Sequence, residues 1–182
     1  MAEEAQADED VSLIGVTTSV EEAKKMYDDW ANTGNYEKNV REWGYDMPEK
    51  IAAAAAGQTL NATLEDCKVL DAGAGDGLSG VALKEAGFTN IIGTDLSPDM
   101  LAIAKERDVY SELKIADLSG QSEFEDNTFD VITIVGVLTY IEATSSCLSE
   151  MIRISKPGGI LCFSHRTDKV DLWMPVQNDL EE

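Results

Sequence analysis

An apolar run, Val69-Leu70, ends on Asp71 and is followed at once by glycines at 73, 75 and 77, a spacing that suits a sharp turn between two regular elements. The stretch from Val69 to Gly80 therefore reads as strand, tight turn and helix. Glycine has no Cβ and enters positive φ freely, so a ligand can lie against bare backbone there, and the following helix N-terminus offers free N–H groups. Such a turn is a ligand site.

The spacing narrows the choice of ligand. A dinucleotide fingerprint, G-x-G-x-x-G, needs its third glycine where this chain has Leu78, which disfavours a nicotinamide-dependent oxidoreductase. Asp71, two residues ahead of Gly73, sets a carboxylate beside the pocket and suits a ligand that carries an amine. A second strand-end acid, Asp95, closes the run Asn90-Ile91-Ile92-Gly93-Thr94, where doubly wound folds hold a ribose through its hydroxyls.

Around these two acids, apolar runs alternate with helical patterns, the mark of βα units on a parallel sheet. Strands are expected at Lys68 to Asp71, Asn90 to Thr94, Glu112 to Ala116, Phe129 to Val135 and Ile160 to Ser164. Helices are expected from Pro48 to Ala56, Leu78 to Ala86, from the cap Ser97 with Pro98 in its first turn, and Thr144 to Ser155, the last ended by Lys156-Pro157-Gly158-Gly159. Five consecutive alanines, Ala52 to Ala56, require the first of these helices to lie close against a neighbour. Right-handed crossovers then favour the strand order 3-2-1-4-5, with a crevice at the carboxyl ends of strands 1, 2 and 4.

In order and spacing, DAGAGDG, IIGTDLSPDM, IADL, FEDNTFDVITIVGVLTYI and KPGGILCF resemble the successive motifs of class I S-adenosylmethionine-dependent methyltransferases, over about residues 67–165. The lead-in YDDWANTGNYEKNVREWGYDMP resembles one subgroup, the Williams–Beuren-region methyltransferase-like proteins. The resemblance implies a Rossmann-like α/β fold, S-adenosylmethionine as cofactor and a methyl acceptor that is a small molecule more readily than a protein side chain. It also implies roles: Asp71 with Gly73, Ala74, Gly75 and Gly77 for the methionine part, and Asp95 for the ribose. Leu96 and Met100 would bracket the adenine, Ala116, Asp117 and Leu118 would recognise it, and Gly136 would approach the methionine carboxylate or the methyl. Tyr27, Trp30 and Tyr36 would come from a helical lid over residues 19–57, for which packing onto the domain is an equal reading. Core packing is an equal reading for Met100 and Leu96, and ordinary turn composition is one for Asp117; Asp76 reads as a solvated residue or a cap.

Methyl transfer from a sulfonium starts from an activated leaving group, so no catalytic signature is expected and the catalytic residues stay unassigned. If a base is used, Tyr140 and His165 are the candidates. The fold implied by the resemblance continues past its fifth strand with a helix and two further strands. Only the stretch to Glu182 follows here, so the sheet is expected to lack those last strands, through truncation or a short isoform. The exposed edge of strand 5 then suggests a homodimer, and a cofactor-binding module without turnover is the alternative to an enzyme.

At 182 residues the chain fits one domain, with an acidic tail at residues 1–18 that has no apolar period and a core at 58–182. A formal charge of −21 opposes recruitment of nucleic acid or an anionic membrane. Cys67, Cys147 and Cys162 are widely spaced and show no metal-ligand pattern, so they read as reduced core thiols, and no metal is expected. There is neither a long apolar span nor a leader-like N-terminus, which points to the cytosol, or the nucleus.

Overall fold

In the computed structural model, residues 36–166 are described except for 43, 61 and 142–144, together with residues 22, 24, 25, 28 and 29. The order of elements is α1 (Tyr36–Glu42), α2 (Met47–Gln58), β1 (Lys68–Ala72), α3 (Leu78–Glu85), β2 (Asn90–Asp95), α4 (Pro98–Glu106), β3 (Glu112–Ile115), β4 (Phe129–Ile134), α5 (Cys147–Ile154) and β5 (Ser155–Phe163). Every strand pairing is parallel and the sheet runs β3-β2-β1-β4-β5, the expected order. The central strands are apolar because both faces of the sheet are covered. Val69, Ile91 and Val131 pack under α2 and α3 with Leu83 and Phe88, while Leu70, Ile132 and Ile134 pack with Leu148, Met151 and Ile154 of α5 on the other face.

Local signals account for most boundaries. Ser97 caps α4 by accepting the Met100 N–H at 3.1 Å, with Pro98 in the first turn. The alanine run buries Ala52 and Ala55 against α3 and β5, since small side chains let backbones approach. That helix continues through Gly57 to Gln58, beyond the expected stop at Ala56, and ends where the Thr59 N–H turns back to the carbonyls of Ala55 and Ala56.

The largest boundary difference lies at β5. Ser155 already pairs with Phe129, straight off α5, and Ile160 is the partner of Val131, so Lys156-Pro157-Gly158-Gly159 is a bulge inside the strand rather than a turn ahead of it. Proline has no N–H to give the ladder, and Gly158 at φ +78° takes a conformation other residues resist, so the chain loops out for the width of those residues and then rejoins. Cys67 and Cys147 are buried free thiols and Cys162 is a partly buried one. No helix among the described residues is long and apolar enough to cross a membrane.

Candidate functional site

At the carboxyl ends of β1, β2 and β4 lies a cavity of about 360 Å³. Its near wall is the glycine turn. The N–H groups of Gly73 and Ala74 both donate to the Thr94 carbonyl, at 2.7 and 2.8 Å, and the Gly75 N–H donates to Asp95 Oδ2 at 2.8 Å. The turn after β1 is thus tied to the end of β2, and Asp95 is held between two elements. Its other oxygen accepts the Ser97 N–H at 2.9 Å. Burial pushes the Asp95 carboxyl up, and these N–H donors oppose the shift.

Gly73, Ala74, Gly75, Asp95, Leu96, Ala116, Asp117, Leu118 and Gly136, all expected site residues, line this one cavity. Asp117 lines it while its Oδ1 also accepts from the N–H and hydroxyl of Ser119, so the turn reading and the site position hold together. Tyr140 and His165 line it too. Tyr27, Trp30 and the side chain of Tyr36 lie outside the described residues, as do residues 19–21, 23, 26, 31–35 and 43 of the expected lid.

Three expected site residues stand elsewhere. Asp71 is fully buried behind the turn, accepting from Ser79 Oγ (2.6 Å), the Tyr110 hydroxyl (2.7 Å) and Thr133 Oγ1 (3.3 Å). Gly77, at φ +91°, faces α4: a Cβ there would lie 3.0 Å from Arg107 Cγ and 3.1 Å from Ala104 Cα. Met100 has no exposed surface and belongs to the packing under α4. Asp76, expected as a solvated residue or a cap, is 4% exposed and acts as the cap, its Oδ1 accepting the Leu78 N–H at 3.4 Å; it also lines the cavity and pairs with Arg107 at 2.8 Å, and Arg107 reaches Glu37 of α1 at 2.8 Å.

The far wall comes from residues that lie inside the motifs but carry no expected role: Val40 of α1, Tyr45 ahead of α2, Met47 and Pro48 in its first turn, and Val137 and Ile141 after β4. Gly136 sits at φ +73°, and a Cβ on it would lie 3.0 Å from the Tyr45 hydroxyl. Burial pushes the Tyr45 phenol up, so near neutral pH it remains a proton donor. The aromatic cluster before Pro48 was a signal for this wall, without indicating which ring would reach it.

Asp71 has a measurable consequence of its own. Burial pushes its carboxyl from 3.8 up to about 6, against the three hydroxyl donors. A carboxyl raised in the fold binds its proton more tightly there than in the unfolded chain. The stability it contributes is therefore present at acid pH and lost as pH rises through about 6, a loss of roughly 3 kcal/mol when complete. Asp71→Asn removes the buried charge at the expense of turning hydroxyls round, so it is expected to stabilise the free protein by about 1–2 kcal/mol at pH 8. The gain should shrink towards pH 5. Thermal melts at both pH values check this, and an equal shift at each would contradict it.

The sequence profile of the family described as "Methyltransferase domain" matches residues 70–163, more than half of the chain. The chain belongs to the class I S-adenosylmethionine-dependent methyltransferases. S-adenosylmethionine is the cofactor that goes with that family.

Among its relatives is the human protein named Methyltransferase-like protein 27, 32% identical over 81% of this chain and 59% of that one. Another is a demethylmenaquinone methyltransferase of Streptomyces avermitilis, 31% identical over 86% of this chain and 64% of that one. A solved structure, an S-adenosylmethionine dependent methyltransferase from Mesorhizobium loti, superposes with a TM-score of 0.51 at 25% identity, covering 60% of this chain and 51% of that one. The chain therefore spans about three fifths of the length of the curated relatives it matches.

The residues present fit the cofactor. A turn of bare backbone faces the cavity, Gly75 has nothing within 4 Å of the position its Cβ would take, and an acid anchored by two N–H groups stands at the head of the site.

Proposed function

We propose that this chain binds S-adenosylmethionine in the cavity beneath the glycine turn and passes its methyl group to a small, largely apolar acceptor. The observation that carries the reading is Asp95, its carboxylate fixed by the Gly75 and Ser97 N–H groups at the edge of a cavity walled by Gly73 to Asp76. The remaining lone pairs of that carboxylate suit a pair of ribose hydroxyls, and the bare turn suits a close-lying chain with an amine.

The cofactor supplies a methyl group on a positively charged sulfur, already activated for in-line displacement. What is left to the protein is alignment and exclusion of water. Val40, Met47, Pro48, Val137 and Ile141 support a largely apolar acceptor, because they give the rest of the cavity apolar wall between polar groups such as Tyr45, Thr139 and Ser164. Tyr140 and His165 border it and could take a proton from an acceptor that must lose one. The name of the Streptomyces relative, with its quinone-type acceptor, agrees with that chemistry.

Calorimetric titration with S-adenosylmethionine, S-adenosylhomocysteine and, as control, NAD is expected to give saturable binding of the first two only. Tighter binding of NAD would overturn the cofactor assignment. Incubation of the chain with cell extract and methyl-labelled cofactor is then expected to put label into the organic-soluble small-molecule fraction. Label found in protein instead would overturn the acceptor class.

A further inference from the structure

Helix α3 is only weakly capped from the turn before it: Asp76 Oδ1 accepts the Leu78 N–H at 3.4 Å and reaches no further into the first turn. Its N-cap position is Gly77, which has no side chain to offer, yet the N–H groups of a first helical turn need acceptors from outside the helix. The acceptor for Gly80 comes from 30 residues further along the chain: the Tyr110 hydroxyl accepts its N–H at 3.1 Å. The same hydroxyl donates to Asp71 Oδ2 at 2.7 Å, the oxygen that also accepts from Ser79 Oγ at 2.6 Å. Tyr110 thus joins the last residues of β1 to the first turn of α3, on either side of the glycine turn.

The chain makes room for this ring in two places. A Cβ on Gly80 would lie 2.3 Å from the Tyr110 hydroxyl oxygen, and one on Gly93, in mid-strand, would lie 2.9 Å from the ring and 2.7 Å from Leu113 Cδ2. Neither glycine has a left-handed φ, so close approach of a side chain, not turn geometry, is what each accommodates: Tyr110 at Gly80, and Tyr110 with Leu113 at Gly93.

We infer that Tyr110 is a positioning residue for the cofactor turn, capping α3 from outside the helix and, through Asp71, fixing the helix N-terminus that borders the cavity. This rests on the reading of the cavity as the cofactor site. Asp71 acts from behind the turn, where its negative charge favours a ligand ammonium on the other side. The groups facing it are Ser79 of α3, Thr133 of β4, Tyr110 ahead of β3 and, at longer range, Asp95 at the end of β2. Burial and the adjoining Asp71 hold the Tyr110 phenol protonated, so it remains a donor to that carboxylate. Removing the donor makes Asp71 harder to ionise.

The test is Tyr110→Phe, titrated with S-adenosylhomocysteine by calorimetry between pH 5 and 8, with amide exchange of Gly80 followed in the free protein. Loss of a cap and of one donor should weaken binding about five- to tenfold at pH 8 and speed exchange of the Gly80 amide by a similar factor. Wild-type affinity should fall as pH drops through about 6, where Asp71 takes up its proton. The midpoint of that fall should move up by roughly one pH unit in the variant, a change that mere loss of packing would not produce.

Unchanged affinity and an unmoved midpoint in Tyr110→Phe would overturn the inference, as would undiminished protection of Gly80. If Tyr110→Phe does not melt cooperatively, Ser79→Ala takes its place: it removes the other hydroxyl from the same oxygen and leaves the cap, so its midpoint must also rise, and a fixed midpoint overturns the proposal. Failure of the wild-type chain to bind at any pH would count against the cofactor reading instead, while Gly80 exchange would still decide the capping role.

Discussion

Asp95→Ala is expected to weaken S-adenosylhomocysteine binding by a hundredfold or more. Hydrogen bonds to a charged group contribute about 1.5–3 kcal/mol each, and two lost ribose contacts amount to about 3–6 kcal/mol, or roughly two to four decades of affinity. The same change removes the acceptor of the Gly75 and Ser97 N–H groups, so the turn loosens as well as losing its ligand contact. Asp95→Asn separates the two effects. It can still accept one N–H, so the fold should hold while affinity falls by an intermediate amount. Calorimetry on both variants, with melting curves alongside, reads out the split. Affinity of Asp95→Ala within about threefold of wild type would show that the ribose does not lie there.

The parallel order of the sheet was legible because each strand announces itself by an apolar run and each crossover by a helical period. Handedness then leaves few topologies. Position along the sheet edge was legible for the same reason: Gly73, Asp117 and Gly136 follow strand ends, Asp95 closes one, and all line one cavity. The cap at Ser97 is a local signal and was read in full.

The direction in which a side chain points at a strand end is not a local signal. Asp71 was expected to face the ligand, yet it turns to the inside, where Ser79, Tyr110 and Thr133 wait for it. The glycines at every second position have different neighbours: a Cβ on Gly73 would meet Val137, and one on Gly77 would meet Ala104 and Arg107 at α4, although both take a left-handed φ. Arg107 and Tyr110 each act across about thirty residues of sequence, a separation no motif spans. A trace of Tyr110 was nevertheless present. Gly80 in the first turn of a helix and Gly93 inside a strand have no turn to make, and such glycines mark the approach of something bulky.

The divergence of the glycines leads to the remaining large effect. Gly73→Ala is expected to lower the melting temperature by about 5–15 °C, whereas Gly75→Ala should lower it by only a few degrees. At both positions alanine must adopt a left-handed φ, +80° and +53°, at roughly 1–2 kcal/mol. The two then part company. At Gly73 the new Cβ would lie 2.2 Å from Val137 Cγ2, so the segment after β4 must shift, and overpacking of this kind costs about 1–3 kcal/mol more. At Gly75 nothing lies within 4 Å, so the added methyl meets no neighbour and enters space that the ligand would use. Stability and affinity should therefore separate: Gly73→Ala loses both, because Val137 also lines the cavity, while Gly75→Ala keeps its fold and loses affinity. Melting curves and S-adenosylhomocysteine titrations on the pair test this together. A Gly73→Ala variant that melted with wild type would mean that the Val137 segment yields without cost, and that the turn is not clamped between β2 and the chain after β4.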